Sequence, residues 1–326
     1  MTDDLLAIED LSVRYATIGP LRAWFEPTRS RYIDAVLDVS LRVSSGQTVG
    51  LVGESGSGKT SLARAVIGLV SAHRGSIRFR GRELVGLSDR ALKAARRNIG
   101  MMFQDPLASL SPRMTVRSLL AEPFRIHGVV SERRDASARR LLGMVGLDAS
   151  FLDAYPHRLS GGQARRVGVA RALALNPALI IADEPTAGLD VSVQGEILNL
   201  LSKLQGEFGL GYLIVTHNLP VIRHVSDRLA IMYLGRLIED GPTDAIFAGP
   251  AHPYTAALIE SVPKPDPDRR RASLALEGEI PSLRHRPSGC EFHTRCRFAQ
   301  PLCRIESPPY QRVAPSRHVR CHFPLQ

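Results

Sequence analysis

An eight-residue glycine-rich segment, Gly53 to Thr60, is the feature that most restricts what this chain can fold into. It reads Gly-Glu-Ser-Gly-Ser-Gly-Lys-Thr and lies between a strand-like run that ends at Val52 and a helix-like run that begins near Ser61. A loop of this type points successive backbone N–H groups inward, and the helix after it directs its positive dipole end at a bound phosphate. A flexible turn is the alternative, but the flanking strand and helix favour a nucleoside triphosphate site.

The chemistry of the loop predicts separate roles for its last two residues. Lys59 reaches the β and γ phosphates as a point charge, and the Thr60 hydroxyl binds Mg²⁺. We expect ATP-binding contacts from the whole loop and from the residue after it, namely Gly53, Glu54, Ser55, Gly56, Ser57, Gly58, Lys59, Thr60 and Ser61.

A basic charge, concentrated late in the chain, leaves three classes of partner open. The chain has 326 residues and a formal net charge of +10. Residues 261–326 hold twelve Lys and Arg against six Asp and Glu, and so contribute +6 of that charge. Nucleic acid, an anionic membrane face and an acidic partner all fit. No aromatic residues alternate with the basic ones as base-stacking sites require, so we expect no nucleic acid partner.

The sequence predicts no membrane-spanning segment and no secretory signal. No uninterrupted apolar stretch approaches the ~18 residues that a membrane helix needs. The first ten residues carry Asp3, Asp4, Glu9 and Asp10 where a signal peptide needs basic residues and an apolar core. We therefore expect the chain in the cytoplasm.

Hydrophobic periodicity predicts an α/β protein with a helical insert. Ala7 to Tyr15 alternates apolar and polar residues as a half-buried strand does. Arg117 to Ile126 and Glu132 to Val145 carry apolar residues at helical spacing. The short apolar runs Leu179 to Ala182 and Tyr212 to Val215 suit strands buried on both faces of a parallel sheet.

Two adjacent carboxylates, Asp183 and Glu184, follow the first of these apolar runs. Because ligands bind at the carboxyl ends of parallel strands, we expect both beside the phosphate loop. Asp183 would support the Mg²⁺ through water. Glu184 points in another direction, faces the γ phosphate and would deprotonate the attacking water as the general base. The alternative is a pair of surface carboxylates that end a buried strand.

A second glycine-containing segment precedes a predicted helix over Ala164 to Leu175. Its free N–H groups and hydroxyl suit a γ phosphate, which predicts a site for a second nucleotide. The segment resembles the signature motif of ATP-binding cassette (ABC) proteins, and its residues are Leu159, Ser160, Gly161, Gly162 and Gln163. Other motifs of that family occur in the family's order. Gln104 resembles the Q-loop residue, Asp190 the D-loop residue, and His217 the switch histidine that contacts the γ phosphate.

The resemblance implies a fold, a set of catalytic residues and an assembly. The fold is a P-loop NTPase cassette with a parallel-sheet core, an N-terminal antiparallel β region and a helical signature subdomain. Glu184, His217 and Gln104 are the implied catalytic residues, and the implied Mg²⁺ site is formed by Thr60, Gln104 and Asp183. Two cassettes close face to face, so that each ATP lies between the phosphate loop of one subunit and the signature motif of the other.

An aromatic residue of this family stacks on the adenine, and three residues compete for that place. Tyr15 resembles the family's aromatic, whereas Tyr32 and Phe25 are the alternatives.

The resemblance narrows to the ATP-binding subunits of oligopeptide and dipeptide importers. The segments that carry it are Phe103 to Leu110, Pro250 to Thr255, Ser288 to Cys290, and Arg295 with Cys296. One departure is Asn218, where relatives commonly have an acidic residue after the switch histidine. The resemblance implies a small Cys-rich C-terminal extension, and we predict four parts: a core over 1–104, a helical subdomain over 105–175, more core over 176–249 and the extension over 250–326.

All four cysteines lie within this extension, at Cys290, Cys296, Cys303 and Cys321. Disulfides are disfavoured in a reducing cytosol, and the spacing lacks the C-x-x-C pairs of zinc ribbons and ferredoxins. Some similar importers carry a four-iron, four-sulfur cluster on such a set. That cluster is our hypothesis, with zinc and free thiols as the alternatives.

The predicted function is that of an ATPase that drives import. It would sit peripherally on the cytoplasmic face of the membrane with a second ATPase subunit, identical or homologous, and two transmembrane permease subunits, which receive peptide from an extracytoplasmic binding protein. The alternatives are the same role for nickel, glutathione or another solute, a soluble cassette ATPase acting on ribosomes or nucleic acid, and a regulatory nucleotide sensor.

Overall fold

A computed structural model describes residues 4–17, 31–129, 132–262 and 278–325 of the chain, and only the backbone of residues 132–135. The strands are β1 (Asp4–Ala16), β2 (Tyr32–Ser44), β3 (Thr48–Val52), β4 (Arg74–Phe79), β5 (Arg82–Glu83), β6 (Ile99–Met102), β7 (Leu179–Asp183), β8 (Gly211–Thr216), β9 (Arg228–Tyr233), β10 (Arg236–Pro242), β11 (Tyr310–Ala314) and β12 (Arg317–Arg320).

The α-helices alternate with these strands through most of the chain. They are α1 (Lys59–Val66), α2 (Asp89–Arg96), α3 (Val116–Ile126), α4 (Glu132–Met144), α5 (Gly161–Leu173), α6 (Val191–Phe208), α7 (Leu219–Val225), α8 (Thr243–Ala248), α9 (Pro253–Glu260) and α10 (Pro301–Ile305). Two short 3-10 helices, Ala149–Asp153 and Pro156–Arg158, lie before α5. The mixed α/β class is as predicted.

The chain divides into two compact units. The first unit comprises residues 1–6, 43–48 and 79–215, and the second comprises residues 7–42, 49–78 and 216–326. The four-part division predicted from the sequence stays a prediction.

The first unit contains parallel strands and the helical insert. Strands β8, β7 and β6 are neighbours in that order, and both pairs run parallel. Every residue of β7 is buried, which explains why this strand is an unbroken apolar run until its final aspartate. The helices predicted over 117–126 and 132–145 are confirmed as α3 and α4.

Helix ends in the first unit are set by capping residues. The predicted signature helix begins at Gly161 rather than Ala164, because the Ser160 side chain accepts the Gln163 N–H and Gln163 in return accepts the Ser160 N–H. Helix α6 begins after Asp190, whose carboxylate accepts the Val193 N–H at 3.0 Å.

The second unit contains a mixed sheet with the order β11, β12, β10, β9 and β3. Only the β3 and β9 pair is parallel, whereas β9 with β10, β10 with β12, and β11 with β12 run antiparallel. Most of β2, β1 and β4 also belongs to this unit, and these strands form the N-terminal antiparallel sheet. The C-terminal residues of the chain thus extend a sheet that contains β3, the strand before the phosphate loop.

A buried carboxylate joins three elements of the second unit. Glu239 on β10 is fully buried and accepts the backbone N–H groups of Ala251 and His252, both at 2.9 Å. It also accepts a hydrogen bond from Arg317 on β12 at 2.6 Å. Because a buried charge must be paired and hydrogen-bonded, Glu239 fixes β12 and the start of α9 to β10.

Candidate nucleotide-binding site

The phosphate loop follows β3 in the second unit and turns directly into α1. The helix begins at Lys59 rather than near Ser61, so that the last two residues of the loop form its first turn. A Cβ atom on Gly53 would lie 2.2 Å from the Met232 carbonyl oxygen, and one on Gly58 would lie 2.1 Å from that of Ala35. Both glycines are therefore required by close backbone approach, and Gly58 also has a φ of +100°.

Lys59 is buried within the loop and is held by its backbone. The Nζ atom donates to the carbonyl oxygens of Gly53 and Glu54 at 2.7 and 2.8 Å, and to the Ser57 hydroxyl at 3.3 Å. The loop itself is fixed to the turn between β9 and β10, because the Gly235 N–H donates to the Ser57 carbonyl oxygen at 2.9 Å. These contacts hold the loop and its lysine in one defined conformation.

Two other predicted residues lie in the second unit with the loop. The Tyr15 hydroxyl donates to the Ser61 hydroxyl at 3.1 Å, which brings this aromatic to the first turns of α1. Its competitor Tyr32 lies instead beside the guanidinium groups of Arg14 and Arg31, at 5.5 and 5.2 Å from its ring centre. Phe25 lies outside the described residues.

His217 lies directly after β8 and is exposed. The next residue, Asn218, accepts the Val221 N–H at 3.2 Å and caps α7. The unusual Asn218 therefore has a structural role, because asparagine and aspartate serve equally well at the start of a helix.

In the first unit, Asp183 and Glu184 lie at the carboxyl end of β7, and both are buried. The backbone of Glu184 has a φ of +50°, and its N–H donates to the Val215 carbonyl oxygen at 2.8 Å. A left-handed conformation is costly for a residue with a side chain and is concentrated at functional sites. The backbone at Glu184 therefore departs from strand conformation, and the predicted orientation of its side chain towards the γ phosphate stays a prediction.

Gln104 follows β6 and is exposed, and a buried arginine lies against its backbone. Both terminal nitrogens of Arg165 donate to the Gln104 carbonyl oxygen at 3.1 Å, and one also donates to the Ala187 carbonyl oxygen at 3.0 Å. Burial lowers the pKa of Arg165, whereas the charges of Asp105 and Glu184 act in the opposite sense. Arg165 is not predicted from the sequence, because nothing in the local pattern marks it.

The signature segment and the D-loop residue line one surface cavity of the first unit. Its walls include Ser160, Gly161, Gly162, Gln163 and Asp190. Helix α5 presents its N-terminus here, and the Arg166 to Glu196 ion pair at 2.8 Å lies beside it. The structure thus brings the signature residues and Asp190 together within this unit.

Comparisons with known proteins assign the chain to a family. A family model described as ABC transporter matches residues 36–187, and one described as oligopeptide/dipeptide transporter, C-terminal region, matches residues 238–303. The chain is 46% identical over 308 residues to the oligopeptide transport ATP-binding protein AppF of Bacillus subtilis (strain 168), a match that covers 93% of this chain and 94% of AppF. This chain belongs to the ABC transporter ATP-binding proteins.

Other relatives agree with this family. OppF of Escherichia coli (strain K12), also an oligopeptide transport ATP-binding protein, is 46% identical over 93% of this chain and 92% of its own length. A solved dimeric post-hydrolysis state of the ATP-binding cassette MJ0796, bound to ADP and Pi, is 30% identical with a TM-score of 0.64, and the match covers 73% of this chain and 98% of that one. The predicted resemblance and cassette fold are therefore confirmed.

Membership of this family implies ATP and Mg²⁺, and the phosphate loop fits them. Gly53 and Gly58 allow the close backbone approach that shapes the loop, and the loop ends in a lysine and a threonine hydroxyl. Among the residues with described positions, no helix combines the length and the apolar character needed to cross a membrane.

The cysteines of the C-terminal extension do not form a metal site in this structure. All four are free thiols, and within the described part of the chain no group of three or more His, Cys, Asp or Glu residues could hold a metal ion. Burial raises the pKa of Cys290 to about 12 and that of Cys321 to about 11. The four-iron hypothesis is therefore not supported by this arrangement.

Proposed function

We propose that this chain is the ATP-hydrolysing subunit that powers a peptide importer. The observation that carries the proposal is the 46% identity to oligopeptide transport ATP-binding proteins over nearly the whole chain, including the extension. The match of residues 238–303 to the oligopeptide/dipeptide C-terminal model adds separate support. That model is specific to oligopeptide and dipeptide transporters, whereas the model that matches residues 36–187 describes ABC transporters in general.

The chemistry that we propose follows the family pattern. Lys59 would bind the β and γ phosphates, and Thr60, Gln104 and Asp183 would hold Mg²⁺, which would neutralise charge on the phosphates. Glu184 takes a proton from the attacking water, and His217 contacts the γ phosphate.

We propose that hydrolysis requires a dimer. Ser160 and its neighbours at the start of α5 would contact the γ phosphate of the ATP bound by the other subunit, because a helix N-terminus with a free cavity in front of it suits an anion. Asp190 lines the same cavity and would meet the partner subunit there. Tyr15 would stack on the adenine, which its position beside α1 supports.

The proposed assembly places the chain on the cytoplasmic face of a membrane. A second ATPase subunit, two permease subunits and an extracytoplasmic peptide-binding protein complete it. The test is to tag the chain at its native locus, purify it in detergent and identify what accompanies it. We expect proteins with several membrane-spanning helices, and a preparation without any would reject the importer.

Cargo is tested in cells that carry Lys59→Ala in place of the wild-type chain. We expect uptake of isotope-labelled peptides to be lost while uptake of labelled nickel and glutathione is retained. Loss of nickel or glutathione uptake with intact peptide uptake would replace the proposed cargo.

The iron–sulfur cluster stays a prediction drawn from the resemblance. About four iron atoms per chain in protein purified without oxygen would support it, and colourless protein with zinc or no metal would reject it.

A further inference from the structure

The C-terminal extension reaches the phosphate loop through one ion pair. Arg295 donates from both terminal nitrogens to the Glu54 carboxylate, with Nη1 to Oε2 at 2.7 Å and Nη2 to Oε1 at 3.1 Å. The Arg295 side chain is 4% exposed and that of Glu54 is 21% exposed. A two-pronged pair with one largely buried partner has a more defined geometry than a surface ion pair and is less screened by solvent.

Glu54 is also held through its backbone. Its N–H donates to the Tyr254 hydroxyl at 3.0 Å, and its carbonyl oxygen accepts a hydrogen bond from the Lys59 ammonium at 2.8 Å. The residue that Arg295 holds by its carboxylate is therefore the one whose carbonyl helps to position the phosphate-binding lysine. A shift of Glu54 would therefore move a carbonyl oxygen that holds the Lys59 ammonium.

Arg295 lies next to a buried cluster of aromatic rings. Phe292, three residues earlier, packs edge-on against Tyr233 and Tyr254, with ring centres 5.3 Å apart in each pair. All three rings are buried, and the Arg295 guanidinium lies 5.9 Å from the centre of the Tyr233 ring. The backbone next to Arg295 is therefore held by a buried aromatic cluster, and the guanidinium itself also lies over one of these rings.

The pair also solves an electrostatic difficulty. A carboxylate in the second position of a phosphate loop repels the phosphates, because like charges at short range repel each other even near a protein surface. Arg295 supplies the opposite charge at hydrogen-bonding distance, so the loop presents no net negative charge at this position.

We propose that Arg295 is a positioning residue of the nucleotide site, which holds and neutralises Glu54 so that the phosphate loop binds a nucleoside triphosphate. The inference rests on the proposed function, in which this loop binds ATP. It makes the C-terminal extension a functional part of the site.

The test measures the Kd for MgATP of the full chain and of three variants. We expect Arg295→Met to raise the Kd about tenfold or more, because an unpaired carboxylate remains, and Glu54→Gln to raise it less than about threefold. The double variant should return to within about threefold of wild type, because the repulsive charge is gone. In steady-state assays the Arg295→Met defect should appear in KM, with kcat changed less than about twofold.

Arg297→Met is the matched control, since Arg297 is exposed in the same segment and its loss changes the net charge equally. We expect its Kd to equal that of wild type. An Arg295→Met protein with wild-type Kd overturns the inference, and so does a double variant that binds as weakly as Arg295→Met. A wild-type chain that binds no ATP overturns the proposed function instead.

If Arg295→Met does not fold, Arg295→Lys decides the question. An ammonium cannot reproduce the two-pronged contact, so we expect the Kd to rise about threefold. A wild-type Kd for this variant would show that the geometry of the pair does not position the loop.

Discussion

The Arg165 side chain lies against the backbone of Gln104, and both of its terminal nitrogens donate to the Gln104 carbonyl oxygen at 3.1 Å. It also donates to Ala187, in the turn before α6, and is 1% exposed. One buried cation from the signature helix therefore fixes the two loops that carry the Q-loop glutamine and the D-loop aspartate.

Replacing Arg165 with Met should lower the free energy of unfolding by about 1–3 kcal/mol, because the carbonyl groups of Gln104 and Ala187 lose their donor. Urea denaturation measures this loss. Arg166→Met is the control on the next residue, where the ion-pair partner Glu196 is 56% exposed, and we expect a loss of about 1 kcal/mol. Equal losses of unfolding free energy in both variants would contradict the proposal that Arg165 holds the two loops together.

Replacing Glu184 with Gln should leave ATP binding intact and slow hydrolysis by ~10²-fold or more, since general-base catalysis contributes on that order. ATP should then hold two subunits together, which gel filtration with MgATP detects. Glu207→Gln, an exposed site on α6, is the control and should keep wild-type turnover. Normal turnover of Glu184→Gln would reject Glu184 as the base.

Lys59→Ala and Ser160→Arg should separate binding from hydrolysis. Loss of Lys59 removes the charge that meets the phosphates, so we expect weaker ATP binding. Ser160→Arg should spare that binding and block turnover, because the side chain enters the cavity where the partner subunit's ATP would lie. Binding and ATPase measurements on each variant distinguish the two outcomes, and identical defects would argue against a site shared between subunits.

His252 makes stability depend on pH. Burial lowers its pKa to about 3. Its ring Nδ1 accepts the Tyr254 backbone N–H at 3.0 Å, and its backbone N–H donates to the Glu239 carboxylate. Between about pH 6.5 and pH 3, His252 is protonated in the unfolded chain but neutral in the folded chain. The free energy of unfolding therefore falls as the pH drops through this range. From pH 7 to pH 5 this one residue accounts for about 2 kcal/mol.

His252→Asn should keep the helix cap, because the Asn oxygen can also accept the Tyr254 N–H. It should remove the titration. The difference in unfolding free energy between pH 7 and pH 5 should therefore shrink by about 2 kcal/mol in this variant. An unchanged difference would show that other groups cause the pH dependence.

Local motifs account for the part of the site that the sequence could predict. The phosphate loop, the β7 carboxylates and the signature segment are each contiguous, and each takes its shape from glycines, a buried strand or a helix cap next to it. For that reason the predicted elements agree with the structure to within a few residues, including α3, α4 and β7.

Contacts between residues that are far apart in the sequence are not marked by any contiguous motif. The sequence marks Arg295 only as part of a segment, with Cys296, that resembles peptide importers, whereas its pairing with Glu54 joins residues 241 positions apart. The four cysteines suggested a metal site through their clustering along the chain, yet proximity along the chain does not fix where thiols point.

The sequence alone determined that this chain is a nucleotide-binding cassette, because the residues that shape a phosphate cradle and cap a signature helix act on their immediate backbone. Only the tertiary structure decided which groups the arginine side chains bind. Arg165 binds the Gln104 backbone carbonyl, and Arg295 binds the Glu54 carboxylate. Burial sets those pairings, since a charge removed from water must find a partner wherever packing brings one within reach.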